Sequence, residues 1–222
     1  MHLYETHMHT YPVSACAVST PEEMVRHYKR REYTGVIITD HFFNGNCGVA
    51  KKLPWADKVR YFTEAYKRAK AEGENCNLDV FFGLEYSYQG TDFLVYGLDE
   101  TFLLANPGFD ALGLNEFSTA VRGAGAYLAQ AHPFRSAWWI ANPEPTHPSL
   151  IDGIEVHNAS MDAKTNARAL RYAEEHGLAK QAGTDAHDTS AKRPSGIALN
   201  RRAETIFDIV AALKSGEISL LN

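Results

Sequence analysis

His7 and His9 stand one residue apart in "YETHMHT", at the close of a stretch that reads as a strand. Side chains at i and i+2 of a strand share a face, so the two imidazoles are expected side by side. One strand end can hold one metal ion in that way, although two surface histidines at this spacing can also mean nothing. Other ligand-type residues recur in the same position of later apolar runs. Asp40 and His41 close "IITDH", Glu85 sits in "GLEYS", His132 in "AHPF", His157 in "EVHN", and Asp185 and His187 in "GTDAH"; Asp92 opens the run after Glu85.

Each of these has a plain structural alternative. Asp is favoured at helix starts, so "TDH" and "TDAH" could be strand-to-helix caps. "AHP" could be a turn, and Glu85 could pair with an arginine. Taken together they do not scatter as chance would scatter them. Carboxyl ends of strands converge on one rim in α/β folds, and sites are built there. Imidazoles mixed with carboxylates suit zinc, manganese or iron, with a carboxylate able to bridge two ions. The mixture argues against a structural zinc, which prefers cysteines in a closed shell.

The elements that must position these residues alternate along the chain. "HLYETHMHT" is followed by a helix in "STPEEMVRHYKRREY", where Thr20 and Glu23 make a capping-box pattern around Pro21. "GVIITDH" is wholly apolar until its end, as expected of a strand buried on both faces of a parallel sheet. A long helix is expected over about Ala56 to Glu72. "LDVFFGLEYSY" and "TDFLVYGLD" are strands joined by a Gln-Gly turn, and a helix around Asn115 to Gly123 leads into "AYLAQAHPF". "DGIEVHN", a helix over about Asp162 to His176, "AKQAGTDAH" and an amphipathic tail with Ile206, Ile209, Val210 and Leu213 on one face complete the series. Seven strands with helical crossovers imply a single α/β domain over residues 1–222, either a closed barrel or an open doubly wound sheet.

The 222 residues suit one α/β barrel, and a formal charge of −5 gives no general pull toward nucleic acid. Three cysteines, Cys16, Cys47 and Cys76, make a disulfide framework unexpected and a cytoplasmic, reducing location the simplest expectation. No secretory leader and no membrane-spanning run is read from the sequence.

The set "THMHT", "IITDH", "GLEYS", "AHPF" and "GTDAH", in that order over essentially the whole chain, resembles the PHP (polymerase and histidinol phosphatase) family. The resemblance implies a distorted (β/α)7 TIM-like barrel and a cluster of two or three divalent transition metals. It makes His7, His9, Glu85 and Asp185 ligands of a first metal, with Glu85 bridging to a second that also takes His132. His41 and His187 would hold a third. Where the family has a further His or Asp after the first motif, this chain reads "YPVSACAVS", with Cys16 in the nearest place, either as a thiolate ligand or as a bystander. Asp92 stands near the start of the fourth strand, where some members have a histidine ligand. Asp40 is expected behind the ligands, orienting a histidine, and His157 facing substrate as a proton donor.

Most characterised PHP members are phosphoesterases, so the resemblance implies hydrolysis of a small phosphomonoester by a metal-activated water. Arg135 directly follows "AHPF" and is expected to meet phosphate; Lys192 and Arg193 follow "GTDAHDTSA" and could reach the same pocket, or be solvated loop charges. Trp138 and Trp139 lie in the longest loop and could stack on a ring or simply pack. The same metal site could instead cut phosphodiesters or amides, or the chain could be a degenerate module without catalysis.

Overall fold

The computed structural model describes residues 1–190 and 193–222. In chain order the elements are β1 (His2–Met8), α1 (Pro21–Arg30), β2 (Gly35–Ile38), α2 (Trp55–Cys76), β3 (Asp79–Tyr88), β4 (Thr91–Tyr96) and α3 (Glu100–Ala105). They continue as α4 (Leu114–Gly123), β5 (Tyr127–Gln130), β6 (Gly153–Asn158), α5 (Ala163–His176), β7 (Ala179–Gly183), β8 (Gly196–Leu199), α6 (Ile206–Ser215) and β9 (Ser219–Leu221). Local signals account for several boundaries. Thr20 and Glu23 form the capping box at the start of α1, Asp162 caps α5, and Gly177 ends that helix in the left-handed region.

The strands form one sheet in the order β7-β6-β5-β4-β3-β2-β1-β8-β9. β1, β2 and β3 run parallel, β4 is antiparallel to both β3 and β5, and β5, β6 and β7 are parallel again. The β3–β4 reversal follows from the two-residue turn at Gln89 and Gly90, both at positive φ.

The sheet curls into a nearly closed barrel because β1 forks. Toward its amino end β1 pairs with β8, Tyr4 facing Ile197. Toward its carboxyl end it meets the chain after β7: the Asp185 amide donates to the His7 carbonyl at 2.9 Å, and the His9 amide to the Ala186 carbonyl at 2.9 Å. Two glycines make the fork sterically possible. A Cβ on Gly196 would lie 2.2 Å from the Tyr4 carbonyl oxygen, and one on Gly183 would lie 2.5 Å from the His7 Cβ. The seven expected strands are β1–β7. β8, β9 and α3 were not expected: β8 and α3 are short, and β9 lies beyond the helix that was read as the tail.

Apolar residues fill the space between sheet and helices, with Phe42, Phe62, Phe93 and Phe117 fully buried on the α2/α4 side and Ile197, Ile209 and Leu213 under α6. Among the described residues, no helix is long and apolar enough to cross a membrane, and all three cysteines are free.

Candidate metal centre

The carboxyl-end rim gathers side chains from β1, β3, the β5 and β7 ends and the loop after β2. Its centre is Glu85, fully buried on β3. Glu85 Oε1 lies 3.2 Å from His7 Nε2 and 3.3 Å from His132 Nε2. Oε2 lies 2.6 Å from His41 Nδ1 and 3.5 Å from His9 Nε2. Neither oxygen is hydrogen-bonded. Asp185 Oδ1 sits 3.2 Å from His9 Nε2 and 3.4 Å from His7 Nε2, and 3.7 Å from His187 Nδ1. Asp92 Oδ2 is farther out, 4.0 Å from His132 Nε2, and its Oδ1 accepts from Ser87 Oγ at 2.5 Å.

Backbone supports hold these groups in unusual conformations. His132, Phe134 and Asp185 all have positive φ, at 27°, 65° and 55°. Each such non-glycine residue costs on the order of 1–3 kcal/mol, and such strain clusters at functional sites.

Hydrogen bonds behind the cluster decide which nitrogens face it. The Ser14 hydroxyl donates to Asp40 Oδ1 at 2.7 Å, so its oxygen accepts from the His41 amide at 3.0 Å and from His9 Nδ1 at 3.1 Å. His9 therefore carries its proton on Nδ1 and turns the Nε2 lone pair inward. Asp40 is itself held by the Thr10 amide and hydroxyl, each at 2.6 Å. Glu155 does the same for His7: Oε1 pairs with Nδ1 at 3.0 Å, while Oε2 accepts from the His132 amide and from Asn158 Nδ2, both at 2.8 Å. His187 donates from Nδ1 to the Asp185 carbonyl at 2.9 Å, which leaves its Nε2 free.

The electrostatics follow from burial and this crowding. Burial, together with His41 and His187 alongside, lowers the His9 pKa to about 3 and keeps that ring neutral. Around His7 the field of Glu155, Asp185 and Glu85 outweighs burial and raises its pKa well above the ordinary value. Burial would raise Glu85 and Asp185, but the surrounding imidazoles hold both well below the usual carboxylate range. The point between the two carboxylates and the Nε2 atoms thus favours positive charge. Unpaired buried carboxylate oxygens and inward lone pairs fit a divalent cation, which needs deprotonated ligands. Three groups of ligand atoms are close enough for one ion each: His7 with His9 and Asp185, His7 with Glu85 and His132, and His9 with His41 and His187.

A cleft of about 490 Å³ opens onto the cluster, lined in part by Cys16, His41, Asp92, Arg135, Trp139 and Asp185. Arg135 Nη1 is 3.7 Å from Asp185 Oδ2, and its guanidinium lies 5.7 Å from the Trp139 ring centroid. Trp138 is 93% exposed and makes its ring contact with Trp139. Cys16 is exposed at the mouth; contacts with His187 and His41 overcome partial burial and lower its thiol to about 6.

The remaining expected residues lie elsewhere. Asp40, expected behind the ligands to orient a histidine, is 2% exposed and accepts from the Ser14 hydroxyl, whose oxygen in turn accepts from His9 Nδ1. His157, expected to face substrate, pairs with Ser195 Oγ at 3.0 Å and is not brought to the cleft. Arg193 is exposed, donates to the Ala159 carbonyl at 3.4 Å, and lines a separate depression beyond Asp185 and His187. Lys192 lies outside the described residues. Ser14 and Glu155 were missed by the sequence reading. For Glu155 a signal existed, a carboxylate in the midst of the apolar run "GIEV"; for Ser14 there was none.

No family model and no curated protein matches the sequence. Solved structures do match the fold. A two-domain protein from Bacteroides vulgatus described as containing a predicted PHP-like metal-dependent phosphoesterase superposes with a TM-score of 0.72 at 15% identity, over 99% of this chain and 64% of that one. An amidohydrolase from Chromobacterium violaceum, with bound sulfate and no metal, gives 0.62 at 15% identity over 99% and 98%. The lesion-specific endonuclease PfuEndoQ from Pyrococcus furiosus gives 0.65 at 12% identity over 99% and 57%. The chain spans less than two thirds of the first and third of these. The fold expected from the five motifs is therefore the observed one: a TIM-like α/β barrel shared with PHP-like proteins.

Proposed function

We propose that this chain is a metal-dependent hydrolase of phosphoric esters, acting on a small phosphomonoester in the rim cleft. One observation carries the reading: Glu85 is fully buried with neither oxygen hydrogen-bonded, while ring nitrogens of four histidines approach it within 3.5 Å. A structural ion pair would satisfy those oxygens; a bridging ligand leaves them for cations. The similarity to PHP-like, amidohydrolase and endonuclease structures supports hydrolysis in general.

His7, His9, Glu85 and Asp185 would hold one ion, Glu85 and His132 with Asp92 nearby a second, and His41 and His187 a third. Two or three zinc, manganese or iron ions, when bound, supply water activation and neutralise charge on the phosphoryl oxygens. The chain's own residues do the rest. Glu155 and Ser14 fix the ring orientations of His7 and His9, so no reorganisation is needed as charge develops. Arg135 meets the phosphoryl group from the cleft side, its fork suited to two oxygens and its plane backed by Trp139. The leaving oxygen faces the open cleft and takes its proton from solvent, since His157 is engaged with Ser195.

The test is a phosphate-release panel of small phosphomonoesters run beside dinucleotides and amides, on wild type and on His9→Ala and Asp185→Ala. Phosphomonoester turnover lost in both variants, with circular dichroism unchanged, is the expected result. Turnover retained in either variant sinks the assignment, and turnover of dinucleotides or amides alone moves the bond that is cut.

A further inference from the structure

We propose that Trp139 is the platform on which the substrate's leaving group stacks. The phosphomonoester taken by the cleft is then one whose alcohol carries a heteroaromatic ring, as a nucleoside monophosphate does. The inference rests on the phosphoester reading of the site and deepens it. It begins with how the loop after His132 packs: its backbone is held and its rings are not. A Cβ on Gly90 would lie 2.7 Å from the Trp139 carbonyl oxygen and 3.2 Å from the Ile140 Cα, so the loop sits directly on the turn between β3 and β4. The Ile140 amide donates to the Ala137 carbonyl at 3.0 Å and closes a turn around the two tryptophans. Yet Trp139 is 51% exposed and Trp138 is almost wholly in water. Among the described residues neither ring joins an apolar cluster. Trp138 meets Trp139 with ring planes at 89° and centroids 5.5 Å apart. Trp55 shows the alternative: it packs against the core and donates from Nε1 to the Leu103 carbonyl at 2.6 Å. An indole is a large apolar surface, and the loop pair forgoes the stabilisation that burying it against the protein would supply.

The neighbours of Trp139 say what covers it. It shares the rim cleft with Arg135, Asp92 and Asp185, and the Arg135 guanidinium stands 5.7 Å from its ring centroid. A phosphoryl group held by Arg135 at the ligand cluster therefore carries its ester group out along the cleft beside the indole. A planar ring at that place stacks on Trp139 whatever its substituents, because every base has a π-face. Asn46 is exposed on the same cleft. Its carboxamide both donates and accepts, which suits the polar edge of a nucleobase and has nothing to meet on a hydrocarbon ring. At about 490 Å³ the cleft has room for a ring and sugar beyond the phosphoryl group.

Adenosine 5′-monophosphate and ribose 5-phosphate present the same ester on the same sugar carbon and differ in the base. The ratio of their kcat/KM values therefore cancels the phosphoryl chemistry and the metal content. Wild type is expected to prefer the nucleotide by roughly 10–100-fold, the range that stacking one base supplies. Trp139→Ala should abolish the preference, and Trp139→Phe should keep most of it. A wild type without the preference, or a Trp139→Ala protein that retains it, overturns the platform alone. If neither ester is turned over, tryptophan fluorescence decides. Quenching by the nucleotide but not by ribose 5-phosphate, lost in Trp139→Phe, keeps the platform and overturns the phosphomonoester reading. Absence of both turnover and quenching overturns the two together.

Discussion

The two ends of the barrel carry clefts of similar size, yet they differ in how the charges are met. At the amino end of β3 a hollow of about 470 Å³ is lined in part by Lys67, Lys70, Asp79 and Glu100. There Asp79 and Glu100 each have a cation of their own: Arg202 grips Asp79 through two nitrogens at 2.7 and 2.8 Å, and Lys67 sits 2.8 Å from Glu100. These pairs face water. At the carboxyl end the cleft of about 490 Å³ is nearly the same size, but Glu85 and Asp185 are buried among imidazoles, and neither Glu85 carboxylate oxygen has a hydrogen bond. Volume does not distinguish a site from a hollow here. Unsatisfied convergence does.

The sharpest break in that comparison is a matched pair of substitutions. Glu85→Ala should lower kcat/KM by roughly 10³-fold or more, about 4 kcal/mol of transition-state stabilisation, and strip metal; Asp79→Ala should leave both unchanged. Kinetics and elemental analysis on the two proteins decide it. Next in size are the supports. Ser14→Ala or Glu155→Gln should weaken metal binding by about 10–100-fold, read by competition with a chelating dye, while the ligands themselves stay in place.

The pH response sharpens the contrast further. The pKa values of His7, His41, His132 and His187 are raised from 6.5, so each competes for its proton more strongly than a free imidazole. Metal must displace those protons. Affinity should therefore be greatest above the raised values and fall as pH drops through them, by about tenfold per pH unit for each proton released. His9, lowered to about 3, adds nothing to that loss above pH 5. A smaller effect belongs to Arg135. Arg135→Lys keeps the charge but not the fork, and should raise KM for a phosphomonoester about tenfold, near 1.4 kcal/mol, with little change in kcat.

The smallest effect is expected at the amino end. Arg202→Ala should cost at most about 1 kcal/mol of stability, because its side chain is half exposed and solvent screens the pair. A thermal melt measures it.

Much of this contrast could be read from the chain alone, for a physical reason. β2, "GVII", is wholly apolar, so the polar residues that follow it, Asp40 and His41, stand out against their surroundings. His132 and Asp185 stand out more weakly, since Gln130 ends β5 and Thr184 follows β7. What escaped depended on geometry that periodicity does not carry. The register shift between Glu155 and His157 accompanies a split in which the first reaches His7 and the second Ser195, and spacing alone does not point to Glu155. Ser14 matters through three hydrogen bonds made by a loop whose sequence has no pattern. The fork of β1 between β7 and β8 rests on close approaches at Gly183 and Gly196, which look in sequence like any other glycines.

The central claim is that the carboxyl-end cluster holds metal. The metal-to-chain ratio, measured by elemental analysis on protein purified without chelators or a histidine tag, tests it most directly. The account predicts about two or three transition-metal ions per chain. A ratio near zero that manganese, iron and zinc all fail to restore would contradict it, and would leave Glu85 a buried carboxylate among histidines with no cation to bridge.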